Sequence, residues 1–234
     1  MTWKIIAHRG ASALAKQENT LEAFQIAIDL GADYAEFDIR RTMDKQLIVF
    51  HDDNINSRLI SCLTYDEVCR ESDKNGFTVP LLSQILKLCR GKIKLDVELK
   101  ESGYEKEVIN LILQDFSYDE FMMKSFIDTA VANIKRIDSN IKAGLLVGRA
   151  NGDVKRRINE YFPERRLKQC NADFVSPNYK FVTRDFIHRM HLRKKDIYVW
   201  TVNSPELMAK LSKKKIDGII TDRPDLAMKE RKDC

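Results

Sequence analysis

A chain of 234 residues with 44% hydrophobic residues can bury one large core, and a single α/β barrel accommodates this length undivided. Its 40 Lys and Arg against 35 Asp and Glu leave a formal charge of +5. The basic clusters Lys155-Arg156-Arg157, Arg165-Arg166, Arg193-Lys194-Lys195 and Lys213-Lys214-Lys215 are scattered over predicted helices and loops, which excludes a concentrated nucleic-acid footprint.

In chain order, Ile5-Ile6-Ala7-His8 is a buried strand that passes through Arg9-Gly10-Ala11-Ser12 into a helix over 20–30. Asn19 as N-cap with Glu22 three residues on makes a capping-box pattern, and Gly31 ends the helix. Glu36-Phe37-Asp38-Ile39-Arg40 alternates charge and apolar residues, the periodicity of a strand with both acids on one face. The polar link Thr42 to Lys45 then leads into Leu47-Ile48-Val49-Phe50-His51-Asp52, which reads as the return arm of a hairpin. A loop of Met43 to Gln46 sets Thr42 against Leu47 and Asp38 against His51, gathering two carboxylates and an imidazole. The same alternation also suits the solvated face of an edge strand.

Residues 54–92 are the least regular: a polar stretch, a helix over 65–71, the turn Asn75-Gly76, then Pro80 and a helix to Arg90, together a small excursion over one end of the domain. Strands follow over 93–100, 121–126, 142–147, 172–175, 197–202 and 218–221, with helices over 105–114, 129–137, 184–192 and 205–211. Between 147 and about Cys170 the chain is helical or loose, and Ser204 caps the helix that Pro205 opens. Setting aside the hairpin's return arm, this makes eight βα units, the signature of a TIM (β/α)8 barrel spanning 1–234 as a single domain.

The barrel changes the meaning of the polar strand residues. Ile93, Leu95, Val97 and Leu99 suit the helix layer, which turns Lys94, Asp96, Glu98 and Lys100 toward the axis, and Tyr34, Glu36, Asp38 and Arg40 do the same on the second strand. Buried unpaired charge costs several kcal/mol, roughly 3–5 when a partner is missing. Such faces make sense only at the C-terminal mouth, where barrel enzymes place their chemistry. His188 and His191 fall in a helix and read as exposed or capping residues.

The residues also carry a resemblance. His8-Arg9-Gly10-Ala11-Ser12, Glu18-Asn19-Thr20-Leu21-Glu22-Ala23-Phe24, Glu36-Phe37-Asp38, Phe50-His51-Asp52, Val97-Glu98-Leu99-Lys100, Val199-Trp200-Thr201-Val202-Asn203 and Asp217-Gly218-Ile219-Ile220-Thr221-Asp222-Arg223-Pro224 resemble, in order, the motifs of the glycerophosphodiester phosphodiesterase family. The resemblance implies a metal-dependent TIM-barrel hydrolase that converts glycerophosphodiesters to sn-glycerol 3-phosphate and an alcohol. It implies Glu36, Asp38 and Glu98 as ligands of one Mg²⁺ or Ca²⁺, His8 and His51 as general acid and base, and Arg9 and Lys100 on the phosphate. Trp200 would line the glycerol or leaving-group pocket, with a packing role as the competing assignment. Glu18 belongs to the motif without an expected direct contact.

Three departures from the family pattern stand out: Lys16-Gln17 where proline is usual, Asn54-Ile55-Asn56-Ser57-Arg58 after His51-Asp52-Asp53, and Asp96 where Asn is common. The last adds an acid near the expected ion. A phospholipase D-like activity on lysophospholipids or sphingomyelin uses the same barrel but needs an apolar rim; a catalytically silent phosphodiester-binding barrel is the reading from a different class. The partner expected is a small-molecule glycerophosphodiester, with no nucleic acid and no stable membrane insertion. No apolar run reaches the roughly 20 residues a bilayer span needs. Cysteines 62, 69, 89, 170 and 234 are odd in number without CxxC spacing, and Met1-Thr2-Trp3-Lys4 has no signal-peptide core, so a cytoplasmic location is expected. The sequence assigns no oligomeric state.

Overall fold

Eight parallel strands close on themselves, each feeding one or two helices. The barrel strands are β1 (Lys4–Ala7), β2 (Tyr34–Arg41), β6 (Lys94–Leu99), β7 (Phe121–Ser125), β8 (Lys142–Val147), β9 (Phe174–Pro177), β10 (Asp196–Val199) and β11 (Gly218–Thr221). Neighbours pair in chain order, and β1 closes the ring by pairing with both β2 and β11. A ninth strand, β3 (Leu47–Val49), runs antiparallel on β2. The computed structural model describes residues 3–148 and 154–232, so Met1, Thr2 and Cys234 lie outside the described residues, as do the side chains of the Lys155-Arg156-Arg157 cluster.

The two faces of each strand have divided work. Ala35, Phe37 and Ile39 of β2 and Leu95, Val97 and Leu99 of β6 join the large core beneath the helices. There Phe37 meets Phe24 of α1 (Leu21–Asp29) edge to face at 5.7 Å. The inward faces make a separate, smaller cluster of Ile6, Met122, Phe174, Tyr198 and Ile220, with Tyr34 and Trp200 against it. The charged inward residues predicted on β2 and β6 sit among these, with Glu36 and Asp38 1% exposed and Glu98 6%.

The excursion after β3 has its own core. A short hairpin, β4 (Asn54–Ile55) and β5 (Arg58–Leu59), precedes α2 (Tyr65–Asp73), and Ile48, Ile55, Ile60, Leu63, Val68 and Val79 pack together beneath them. Thr64 and Glu67 close a capping box at the start of α2. The next helix, α3 (Leu82–Cys89), turns Leu82, Ile85, Leu86 and Cys89 into the main core. It therefore belongs to the ring, and the excursion proper ends before it.

The other helices are α4 (Glu105–Ile112), α5 (Asp128–Ile137), α6 (Val154–Tyr161), α7 (Glu164–Gln169), α8 (Arg184–Leu192), α9 (Pro205–Ser212) and α10 (Pro224–Lys232). Ser204 caps α9 as predicted, its side chain accepting from the Leu207 amide. Two predicted details change. The N-cap of α1 is Thr20, whose hydroxyl accepts from Ala23 N, while Asn19 adopts φ +57° and turns inward. The hairpin register also shifts by one residue: Arg41 faces Leu47 and the Phe50 amide donates to Asp38 O. The cause is a three-residue turn. Thr42 N donates to Gln46 O, Gln46 N donates back to the Thr42 hydroxyl, and Lys45 takes φ +65°. A one-residue slip moves each side chain to the opposite face, so Phe50 stacks on Phe77 in the excursion.

No helix among the described residues is long and apolar enough to cross a membrane. The turn after β1 depends on Gly10: its φ is +78°, its amide donates to Glu36 O, and an added Cβ would lie 2.6 Å from the Ala23 carbonyl carbon. Gly10→Ala is expected to lower unfolding free energy by about 2 kcal/mol or more, from backbone strain plus overlap with α1. Urea denaturation checks this; an unchanged midpoint and slope would show that α1 can move aside freely.

Candidate active site

Carboxylates converge at the C-terminal end of β2 and β6. The strands lie in parallel register with Glu36 opposite Asp96 and Asp38 opposite Glu98. One oxygen from each of Glu36, Asp38 and Glu98 falls within 4.8 Å of the others, and all three residues are buried. An all-oxygen, acidic donor set of this kind fits a hard divalent cation such as Mg²⁺ or Ca²⁺.

Each carboxylate is held by named partners. Glu36 Oε2 accepts from the Arg9 amide at 3.0 Å, a bond made possible by Arg9's φ of +51°. Asp38 Oδ2 accepts from the Asn19 side-chain amide at 2.9 Å and lies 3.4 Å from Arg9 Nε. Lys100 Nζ spans Asp38 Oδ1 at 2.8 Å and Glu98 Oε1 at 2.7 Å. Burial alone would raise Asp38, but Lys100 and Arg9 overcome it and hold the carboxyl well below the usual range. Burial, aided by the Asp38 and Glu36 charges, leaves Glu98 raised despite Lys100.

The two histidines approach from separate segments and share one arrangement. His8, just beyond β1, places Nδ1 2.6 Å from Asp222 Oδ1 and Nε2 3.9 Å from Glu36 Oε2. His51 places Nδ1 2.7 Å from Asp52 Oδ1. With Nδ1 engaged in each case, Nε2 is the nitrogen left to exchange a proton. Their surroundings push them in opposite directions. Burial lowers His8, but Glu36 and Asp222 outweigh it and its pKa is raised. Burial and the Lys100 charge lower His51.

His51 does not arrive by facing Asp38 across the hairpin, as predicted. The chain leaves β3 after Val49, and the Arg40 guanidinium, paired with Glu101, donates through Nε to the His51 carbonyl at 2.9 Å. This clamp anchors the bend that carries His51. His8, Arg9, Glu36, His51, Glu98, Lys100 and Trp200 all line one cavity of about 490 Å³. Phe126, Leu146, Trp200 and Ile220 supply apolar lining of the same cavity. Trp200 donates Nε1 to Ser176 O at 2.8 Å and meets Phe126 edge to face. His188 and His191 are exposed on α8, away from this cavity.

Comparison with known proteins identifies the family. The family model for the glycerophosphoryl diester phosphodiesterase family matches residues 8–226. The chain belongs to that family. A glycerophosphodiester phosphodiesterase of Bacillus altitudinis is 32% identical over 98% of both chains, and one from Caldanaerobacter subterraneus is 26% identical over 94% of both. Among solved structures, the glycerophosphodiester phosphodiesterase from Parabacteroides distasonis superposes with a TM-score of 0.84 at 25% identity, covering 99% of this chain and 98% of that one. An Oleispira antarctica phosphodiesterase, solved with the product sn-glycerol-3-phosphate, superposes with a TM-score of 0.81 at 22% identity, covering 97% of this chain and 96% of that one.

Several residues around this candidate site were given no direct part in it by the sequence. Asp222, quoted only as part of a motif, is the carboxylate behind His8. Asn19, expected to cap a helix, holds Asp38. Glu18 acts at one remove, pairing with Arg9 Nη1 at 2.6 Å. Lys124 on β7 is 1% exposed, 2.6 Å from Asp96 Oδ2 and 3.3 Å from Glu36 Oε1. A lysine in the strand Phe121-Met122-Met123-Lys124-Ser125 was the available signal, since its register with Glu98 turns it inward. Asp96 is tied to Lys124 and stands outside the group of three clustered carboxylates.

Asp222→Asn is expected to lower the pKa of His8, because the imidazolium loses a charged acceptor while its burial is unchanged. An NMR titration of the His8 ring reads this directly, and an unmoved midpoint would show that Glu36 alone sustains the shift.

Proposed function

We propose that this family member hydrolyses glycerophosphodiesters to sn-glycerol 3-phosphate and an alcohol, using a divalent cation held by Glu36, Asp38 and Glu98. The observation that carries the reading is the placement of two carboxylate-oriented imidazoles around three clustered, buried carboxylates in one cavity. When bound, Mg²⁺ or Ca²⁺ would supply Lewis acidity toward the phosphoryl oxygens and offset the negative charge of the ligand set.

The remaining chemistry belongs to side chains. His51, with its lowered pKa, is neutral near pH 7 and accepts the proton of the attacking oxygen at Nε2. His8, with its raised pKa, carries the proton that the departing alkoxide needs, and Asp222 fixes the ring that delivers it. Splitting two like groups toward opposite protonation states is a recurring way to assign acid and base at one pH. Arg9 adds positive charge beside Asp38 for the phosphate. Lys100 is bonded to Asp38 and Glu98 here, so its help to the phosphate would come through the site's charge balance unless those bonds are exchanged. Trp200, fixed by its Ser176 bond, offers a flat wall for the glycerol or leaving group. A reducing cytoplasm suits the cysteines: Cys62, Cys69, Cys89 and Cys170 are free thiols, and burial pushes Cys89 up to about 12, far from a nucleophile's range.

Purified protein with Mg²⁺ or Ca²⁺ is expected to release sn-glycerol 3-phosphate from glycerophosphocholine and to stop on chelation. His8→Ala and His51→Ala should each reduce kcat by about 10²-fold or more, while Glu98→Gln should weaken cation binding; wild-type rates and wild-type metal titration in these variants would overturn the assignments. The pH profile of kcat should be bell-shaped. Its acid limb should fall as His51 gains a proton below the ordinary histidine value, and its alkaline limb as His8 loses one above it. A single-limbed profile would remove one of the two from the proton-transfer pair.

A further inference from the structure

Beneath the three clustered carboxylates lies a fourth, Asp96, with a buried lysine beside it. Asp96 is 0% exposed, and it stands opposite Glu36 in the register of β2 and β6. Lys124 Nζ lies 2.6 Å from Asp96 Oδ2 and 3.3 Å from Glu36 Oε1. The ammonium therefore has two carboxylates in reach and sits against Asp96. Asp96 Oδ1 is buried without a hydrogen-bond partner among the described residues.

A buried ammonium beside Glu36 opposes any cation that Glu36 is to hold, and at short range in a poorly solvated interior the opposition is strong. Asp96 removes it in two ways: its charge cancels that of Lys124, and its shorter contact draws the ammonium off Glu36. We infer that Asp96 is a positioning residue that withholds Lys124 from Glu36 and so leaves Glu36 available to the divalent cation. The inference rests on the reading of Glu36, Asp38 and Glu98 as the cation site. It differs from a role for Asp96 as an additional ligand, because among the described residues the only cation within bonding distance of its side chain is Lys124. It also differs from a plain stabilising ion pair, because its consequence falls on cation affinity.

Isothermal titration of the purified full chain with MgCl₂ and CaCl₂ tests this, with folding followed by circular dichroism and melting temperature. Asp96→Asn is nearly isosteric and keeps an acceptor for Lys124, so it should fold. Its cation Kd should rise about tenfold or more, the scale on which groups behind metal ligands act. Adding Lys124→Met in the Asp96→Asn background should bring Kd back to within about threefold of the unaltered protein. Lys124→Met alone should bind the cation as tightly as the unaltered protein or more tightly, which gives a second reading if Asp96→Asn is unstable. Unaltered affinity in Asp96→Asn, persistence of its defect in the double variant, or weakened binding in Lys124→Met would each overturn the inference. Absence of cation binding by the unaltered protein would overturn the site reading itself, a distinct outcome.

Discussion

Compensation of buried charge is the constraint on which the mouth of this barrel depends. Glu36, Asp38, Asp96 and Glu98 all lie inside it, each 6% exposed or less. An unpaired buried ion costs several kcal/mol, roughly 3–5 when its partner is removed, which approaches the whole stability of a domain. Arg9, Lys100 and Lys124 stand between the carboxylates and are shared among them. Three cations against four acids leave the site one negative charge in excess, before the histidines are counted. That excess favours uptake of a cation and disfavours an unescorted phosphodiester.

The barrel tolerates this because its strands separate stability from chemistry by face. Outward residues such as Ala35, Phe37, Leu95 and Val97 join the main core with the helices, whatever the inward residues do. On the inward side the apolar cluster of Ile6, Met122, Phe174, Tyr198 and Ile220 fills the axis. Phe174 can lie there because Gly144 has no side chain; a Cβ at that position would stand 2.1 Å from its ring. Charged residues sit next to this plug, where β2 and β6 end, so desolvation raises the strength of every contact they make.

The histidines show how one residue type is driven to opposite proton affinities. Both direct Nδ1 to a carboxylate, yet His8 has Glu36 on its other side and His51 has Lys100 nearby. Burial acts against the proton in both; Glu36 and Asp222 overcome it at His8, whereas Lys100 adds to it at His51. Asp222 also accepts from Ser12 and Asn203, so the carboxylate behind His8 is itself fixed from three sides. Arg40 does the corresponding work for His51 through the main chain.

The barrel was legible in the sequence because its determinants are local and periodic: eight apolar strand segments, each with a helix after it, and charges recurring every second residue on β2 and β6. That period alone put Glu36, Asp38 and Glu98 on inward faces, and the order of motifs placed His8 and His51 with them. What the tertiary structure decided was pairing between distant segments. The hairpin register turned on the αL residue Lys45, which shortened the loop by one residue and moved Asp38 opposite Phe50. Asn19 left its cap position for Asp38, Asp222 reached His8 from 214 residues away, and Lys124 met Asp96 and Glu36 only when β7 was laid beside β6. Periodicity fixes the face on which a side chain stands; which charges become neighbours depends on strand register and barrel closure, and neither is encoded within any single segment.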